Sequence, residues 1–201
     1  MIINWYGEGC FKIQTGGITL LVDSFENDSG LTPPRFKTDI RLSTKTSLPF
    51  SKEASDLHHI VGPGEYEISG IDIIGASILN TASEMTTAYR IVAEGIRLGF
   101  LGYLTAVPSD LVIERLGDID VLFLPAGGAP YIDLPKAVTI IKQIAPKIIV
   151  PSFFNIPELK RKAGSVDAFL KELGQTATPQ EKLTIKKKDI PEKTTVTVLT
   201  V

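Results

Sequence analysis

Short apolar-rich segments separated by glycine-bearing turns open the chain. Met1–Tyr6, Cys10–Thr15 and Ile18–Asp23 read as strands, with Gly16-Gly17 closing a hairpin between the second and third. From Ser24 to Ser55 the pattern weakens into a stretch rich in Pro, Ser and Thr, with one strand expected near Asp39–Ser43. Strands return at Leu57–Val61, Tyr66–Ser69 and Ile71–Ser77. Tyr89–Ala93 and Ile96–Leu101 then form a hairpin turned by Glu94-Gly95.

The second half mixes periods. Pro108–Leu116 predicts a short amphipathic helix with Ser109-Asp110 in its first turn, where an acidic group suits the helix dipole. Ile119–Leu124 and Lys147–Val150 are buried strands. Between them Leu134–Ile144 predicts a helix, opened by Asp133 as N-cap with Pro135 in its first turn. Helical segments Pro157–Arg161 and Val166–Leu173 precede a last strand pair, Leu183–Lys187 and Thr194–Val201. Strands first, then alternating helix and strand, imply two sheets with helices packed outside them. No repeat or domain-scale linker interrupts the pattern, so residues 1–201 are expected to form a single domain.

Composition narrows the partners. A chain of 201 residues suits one well-buried core. A formal net charge of -2 supplies no basic field for nucleic acid or an anionic membrane. The Lys run Lys186–Lys188 reads as the solvated edge of a strand, where lysine blocks sheet-to-sheet pairing. One cysteine excludes an intrachain disulfide and a cysteine-based zinc cluster. The N-terminal residues lack a basic region followed by an apolar run, and no apolar stretch approaches the ~18 residues of a membrane span. The expected compartment is the cytoplasm.

Four blocks carry a resemblance. Residues 5–25, WYGEGCFKIQTGGITLLVDSF, are followed by VGPGEYEISGIDIIG at 61–75, VLFLPAGGAPYID at 121–133 and PKIIVPSFF at 146–154. In this order they are similar to the metallo-β-lactamase superfamily, in particular its small bacterial and archaeal branch of zinc-dependent hydrolases. The resemblance spans nearly the whole chain. It implies an α/β (α+β) fold, a four-layer αβ/βα sandwich with a two-metal site at one edge between the sheets. There a metal-bound hydroxide attacks an ester, amide or phosphodiester. The metals are zinc in the family, held by imidazole and carboxylate groups at about 2.0–2.2 Å.

At the ligand positions this sequence departs from the pattern. The His-x-His-x-Asp-His block that follows a strand ending in Ser or Thr falls on Lys45, Ser47, Pro49 and Phe50. The next ligand falls on Leu79, with Asn80 after it. The bridging carboxylate becomes Tyr103, and the last histidine becomes Phe153. Glu8 stands where the first strand pair of the family has histidine, and Asp23 matches an Asp that supports the site in relatives. The only histidines, His58 and His59, are adjacent, and adjacent strand residues point to opposite faces.

Other groups read as structural. Cys10 reads as a small buried apolar residue, and Gly62-Pro63-Gly64 and Gly127-Gly128 as turns. No Ser-His-Asp or Cys-His arrangement can be argued by spacing, nor is there a Walker-type phosphate loop.

Replacing hydrated ligands by apolar and aromatic groups either closes the cleft into core or leaves an apolar groove, each buried group contributing ~1.5–3 kcal/mol. Glu8, Asp23 and Asn80 are candidates for a remodelled pocket. The leading expectation is a non-catalytic protein without a metal cofactor, acting on an unknown small ligand or protein partner. Neither nucleic acid nor membrane is expected, and a homo-oligomer is left open. Two alternatives stand beside it: an altered or residual ester or phosphodiester hydrolase, and a structural subunit paired with an active paralogue.

Overall fold

Alternation commits one face of the opening strands to a shared core. The computed structural model describes residues 1–25, 27–49 and 58–201. In β1 (Ile2–Trp5) and β2 (Phe11–Thr15), Ile3, Trp5, Phe11 and Ile13 are buried while Lys12 and Gln14 face outward. β2 turns into β3 (Ile18–Val22), and β3 runs parallel to β4 (Ile40–Ser43). β5 (Lys45–Ser47) leaves this sheet, whereas β6 (His59–Val61) returns to pair parallel with β4. With β13 (Leu183–Thr184) against β1, the first sheet has the order β13-β1-β2-β3-β4-β6.

The second sheet begins as an antiparallel meander of β7 (Gly64–Ile68), β8 (Ile71–Asn80), β9 (Glu84–Ala93) and β10 (Ile96–Phe100). It continues through parallel strands β11 (Val121–Pro125), β12 (Ile148–Ser152) and β14 (Thr195–Val196), giving the order β14-β12-β11-β10-β9-β8-β7. β5 pairs with β9, so the chain crosses from one sheet to the other at Thr44. Between the sheets, Phe123 stacks on Phe100 at 4.2 Å and meets Phe11 edge-on at 4.7 Å.

Helices α1 (Asp110–Leu116), α2 (Leu134–Ile144) and α3 (Val166–Leu173) bury Leu116, Ala137, Ile140 and Phe169 together with Leu122, Leu124 and Ile149 of the second sheet. The fold is thus the expected mixed sandwich of two sheets with few helices. Among the described residues, an irregular segment lies over the outer face of the first sheet, with Phe36 5.8 Å from Tyr6 and under the Lys12 ammonium at 4.7 Å. Among the described residues no helix is long and apolar enough to cross a membrane.

α2 starts where its cap dictates. The Asp133 carboxylate accepts the Lys136 backbone N–H at 2.9 Å, with Pro135 in the first turn. Asp133→Ala is expected to cost about 1 kcal/mol, read as a lower urea midpoint at unchanged slope.

Three expectations are corrected. Pro157–Arg161 is not helical. Its backbone is tied outward, Lys160 N–H to the Ser29 carbonyl at 2.9 Å, which an α-helix would not allow. The last two strands do not pair with each other but join different sheets. Nor is the lysine run only a solvated edge. Lys187 lies in a 3-10 turn and its ammonium meets the buried Asp120 carboxylate at 3.0 Å. Burial pushes the Asp120 carboxyl up, but hydrogen bonds from Arg97 and Lys187 outweigh it and bring it down to about 2.

Candidate functional site

Where β3 ends, the chain bends at Asp23 and sends its carboxylate inward. Thr44, at the crossing between β4 and β5, gives Asp23 two hydrogen bonds: its N–H at 2.7 Å and its hydroxyl at 2.6 Å. The Asp23 N–H in turn donates to the Leu42 carbonyl. Asp23 is buried, and desolvation pushes its carboxyl up to about 7 despite the two bonds from Thr44. Gly102 is packed so tightly on Thr44 that a β-carbon there would collide with the threonine side chain, and its φ is +45°.

Beside Asp23 lies an aromatic cluster. Phe153, fully buried, packs against Tyr103 at 5.0 Å and Tyr131 at 4.6 Å between ring centroids. A β-carbon on Gly9 would sit 2.6 Å from the Phe153 ring and 3.1 Å from the Asp23 carboxylate, so these groups share one small volume. The Glu8 carbonyl accepts the Trp5 indole N–H at 2.9 Å and the Phe153 N–H at 3.3 Å.

Arg161 covers the cluster. Its guanidinium grips Glu8 with two bonds, Nε to Oε1 at 2.9 Å and Nη2 to Oε2 at 2.7 Å. Nη2 also donates to the Phe153 carbonyl at 2.6 Å, and the guanidinium lies 5.0 Å from the centre of the Tyr131 ring. The segment that carries Arg161 is stitched down at both ends, by Asn155 N–H to the Gly164 carbonyl and Gly164 N–H to the Gly127 carbonyl.

Glu8, Asp23 and Phe153 all have left-handed backbones, with φ of 47°, 47° and 57°. Such conformations are uncommon for residues other than glycine and gather at functional sites. Here all three surround the same spot.

Of the residues singled out from sequence, the fold brings together Glu8, Asp23, Tyr103, Phe153 and Lys45, whose ammonium lies 5.8 Å from the Tyr103 ring centre and 2.9 Å from Glu84. It does not bring in the rest. Leu79, expected to line the cleft, is 37% exposed because a bulge after Ser77 re-aims it. Ser47 and Pro49 are exposed. Phe154 belongs to the inter-sheet core, 4.6 Å from Trp5. Phe50 and the side chain of Asn80 lie outside the described residues.

This donor set does not fit the two-metal centre of the family. Phe153 offers no ligand atom and fills the space, Tyr103 is held protonated because burial pushes its hydroxyl up, and the Glu8 carboxylate is taken by Arg161. Among the described residues no three His, Cys, Asp or Glu side chains stand together to hold a metal ion. Cys10 is buried, and desolvation with nearby Asp23 pushes its thiol up, away from nucleophilic use.

Two groupings were missed from sequence. Arg161 was not connected to Glu8. Nor does sequence spacing pair His59 with Ser43, whose hydroxyl lies 2.8 Å from the His59 Nε2 across β4 and β6. His58 is exposed.

Comparison with known proteins agrees with the fold. Residues 2–152 match the beta-lactamase superfamily domain. A UPF0173 protein of Pyrococcus abyssi is 24% identical over 197 residues, covering 86% of this chain and 90% of that protein. A UPF0173 metal-dependent hydrolase of Lysinibacillus sphaericus is 26% identical over 196 residues, covering 77% of this chain and 86% of that protein. The crystal structure of a protein from Thermotoga maritima, described as a putative Zn-dependent hydrolase of the metallo-β-lactamase superfamily, superimposes with a TM-score of 0.81 at 26% identity, covering 98% of this chain and 97% of that one. These findings correct the leading expectation of a non-catalytic protein acting by ligand or partner binding. Two of these relatives are described as metal-dependent hydrolases, one of them matching over nearly the whole of both chains, and nothing positive points to a binding-only role.

Proposed function

This chain belongs to the beta-lactamase superfamily, and from that premise we propose that it is a hydrolase with an altered site, cleaving an ester or a phosphodiester. The observation that carries the reading is the near-complete superposition on a protein described as a Zn-dependent hydrolase. The left-handed backbones of Glu8, Asp23 and Phe153, gathered at one pole, support it further.

What this pole offers a substrate is hydrogen-bond donation. The Lys45 ammonium, paired with Glu84 at 2.9 Å, lies over the Tyr103 ring at 5.8 Å from its centre. Tyr103 stays protonated at neutral pH, since burial and then the Asp23 charge push its pKa up. An ammonium and a protonated phenol are suited to the negative oxygen that develops as a carbonyl or phosphoryl centre is attacked. Asp23 and Thr44 fix the bend that carries Lys45 to that position. No step is assigned to the metals of the family.

Purified chain assayed with p-nitrophenyl esters and bis-p-nitrophenyl phosphate is expected to show turnover above the blank. Lys45→Ala or Tyr103→Phe should lower kcat by ~10-fold or more, each removing one donor. Chelator dialysis is expected to leave the rate unchanged, because aromatic and ion-paired side chains occupy the ligand positions. Absence of turnover on both substrate classes, with and without added zinc or manganese, would sink the reading.

A further inference from the structure

The pole lacks a nucleophile. The Cys10 thiol is buried with its pKa pushed up, and the Thr44 hydroxyl is committed to Asp23. One residue before Thr44, on the opposite side of the same strand, the fold supplies one. Ile40 and Leu42 of β4 and Ile60 of β6 are buried between the sheets, so Arg41, Ser43 and His59 face outward. β4 and β6 run parallel with Arg41 opposite His59 and Ser43 opposite Val61. This register lets the His59 ring reach along the sheet to Ser43, with Nε2 and Oγ 2.8 Å apart.

From this geometry we infer that Ser43 and His59 form a nucleophile and general base on the outer face of the first sheet, acting on a carboxylic ester. The inference rests on the hydrolase reading above and places a reacting centre on the outer face of the sheet, apart from the donors at the pole. A serine hydroxyl is a weak nucleophile until an adjacent base accepts its proton, and the separation of the two atoms is the one that transfer needs. Neither residue is fully buried, so no burial requirement forces the two side chains to pair. Arg41 stands on the same face, opposite His59 in register.

With the ring proton on Nδ1, Nε2 accepts the Ser43 proton as Oγ bonds to the acyl carbon. The ester C–O bond then breaks, and the alcohol leaves with the proton from Nε2. Water, giving its own proton to Nε2, attacks the acyl carbon. The Oγ–C bond breaks and Ser43 recovers its proton, so no other reactant is consumed.

Full-length chain treated with a fluorophosphonate, a reagent that phosphonylates activated serines, tests this. Peptide mass mapping is expected to place about one adduct per chain on Ser43. His59→Gln, which keeps a hydrogen-bonding side chain but removes the base, should slow labelling ~100-fold, and Ser43→Ala should abolish it, with thermal melts confirming that both variants fold. No adduct, an adduct elsewhere, or labelling indifferent to His59→Gln overturns the inference. The wild-type map decides even where a variant does not fold. p-Nitrophenyl acetate separates the two readings. Hydrolysis that persists in Ser43→Ala overturns the nucleophile and leaves the hydrolase. A labelled Ser43 without turnover of any ester or phosphodiester supports the nucleophile and its base but overturns the hydrolase and, with it, the ester as substrate.

Discussion

Arg161→Ala is expected to lower the free energy of unfolding by about 3–5 kcal/mol, among the largest effects of any single substitution in this chain. The side chains of Arg161 and Glu8 are only 19% and 11% exposed, so their ion pair is not of the surface kind that contributes little. Removing the guanidinium leaves the Glu8 carboxylate with neither of its two charge-assisted bonds and the Phe153 carbonyl without its donor. Most of the loss comes from the stranded carboxylate rather than from the missing attraction. Glu8→Leu combined with Arg161→Met should therefore recover a large part of it, because both charges then leave together. Urea unfolding of the two single variants and the double variant reads the coupling directly. An Arg161→Ala variant within about 0.5 kcal/mol of the parent would show that the pair behaves as if solvated.

The second large effect is a dependence of stability on pH centred on Asp23. Its folded pKa of about 7 lies above the ordinary carboxyl value of 3.8, so the folded chain holds this proton more tightly than the unfolded chain does. Stability from this group is complete below about pH 4 and falls as pH rises to about 7, beyond which it is flat. A shift of this size corresponds to about 4 kcal/mol. Other carboxylates titrate as well, so the signal is the difference from Asp23→Asn. The amide keeps a polar side chain toward Thr44 and cannot ionise, so the variant should lose the decline between pH 4 and 7. Above pH 7 it should be the more stable of the two, having no buried charge. Parallel pH profiles for the two proteins would remove Asp23 as the source.

The helices show which parts of the fold the sequence determines locally. Leu134–Ile144 and Val166–Leu173 begin and end where the sequence places them, since Asp133, Ser165 and Gly174 cap the backbone through nearby atoms. β9 is different. It extends back to Glu84 because Thr86 and Thr87 are buried between strands, and no local pattern of polar residues announces that. Pro157–Arg161 is not a helix for a similar reason, its Lys160 N–H bonding to Ser29 far along the chain.

The candidate site divides in the same way. Glu8, Asp23, Tyr103 and Phe153 were legible because motif blocks fix their places. Arg161 was not, being 153 residues from its partner Glu8. Ser43 and His59 face each other only because β4 and β6 pair in parallel, a register that local sequence does not encode across their separation of 16 positions.

The left-handed backbones of Glu8, Asp23 and Phe153 have an evolutionary consequence. Three non-glycine residues hold a conformation that is costly for each, so the surrounding structure maintains it, through packing and the backbone bond from Phe153 to Glu8 as well as through the side-chain bonds of Asp23 and Glu8. Shape and reactivity are therefore inherited separately only in part at this end of the molecule. A lineage can exchange the functional groups that take no part in holding such a frame while the frame persists, and new chemistry can arise there without the invention of a new fold.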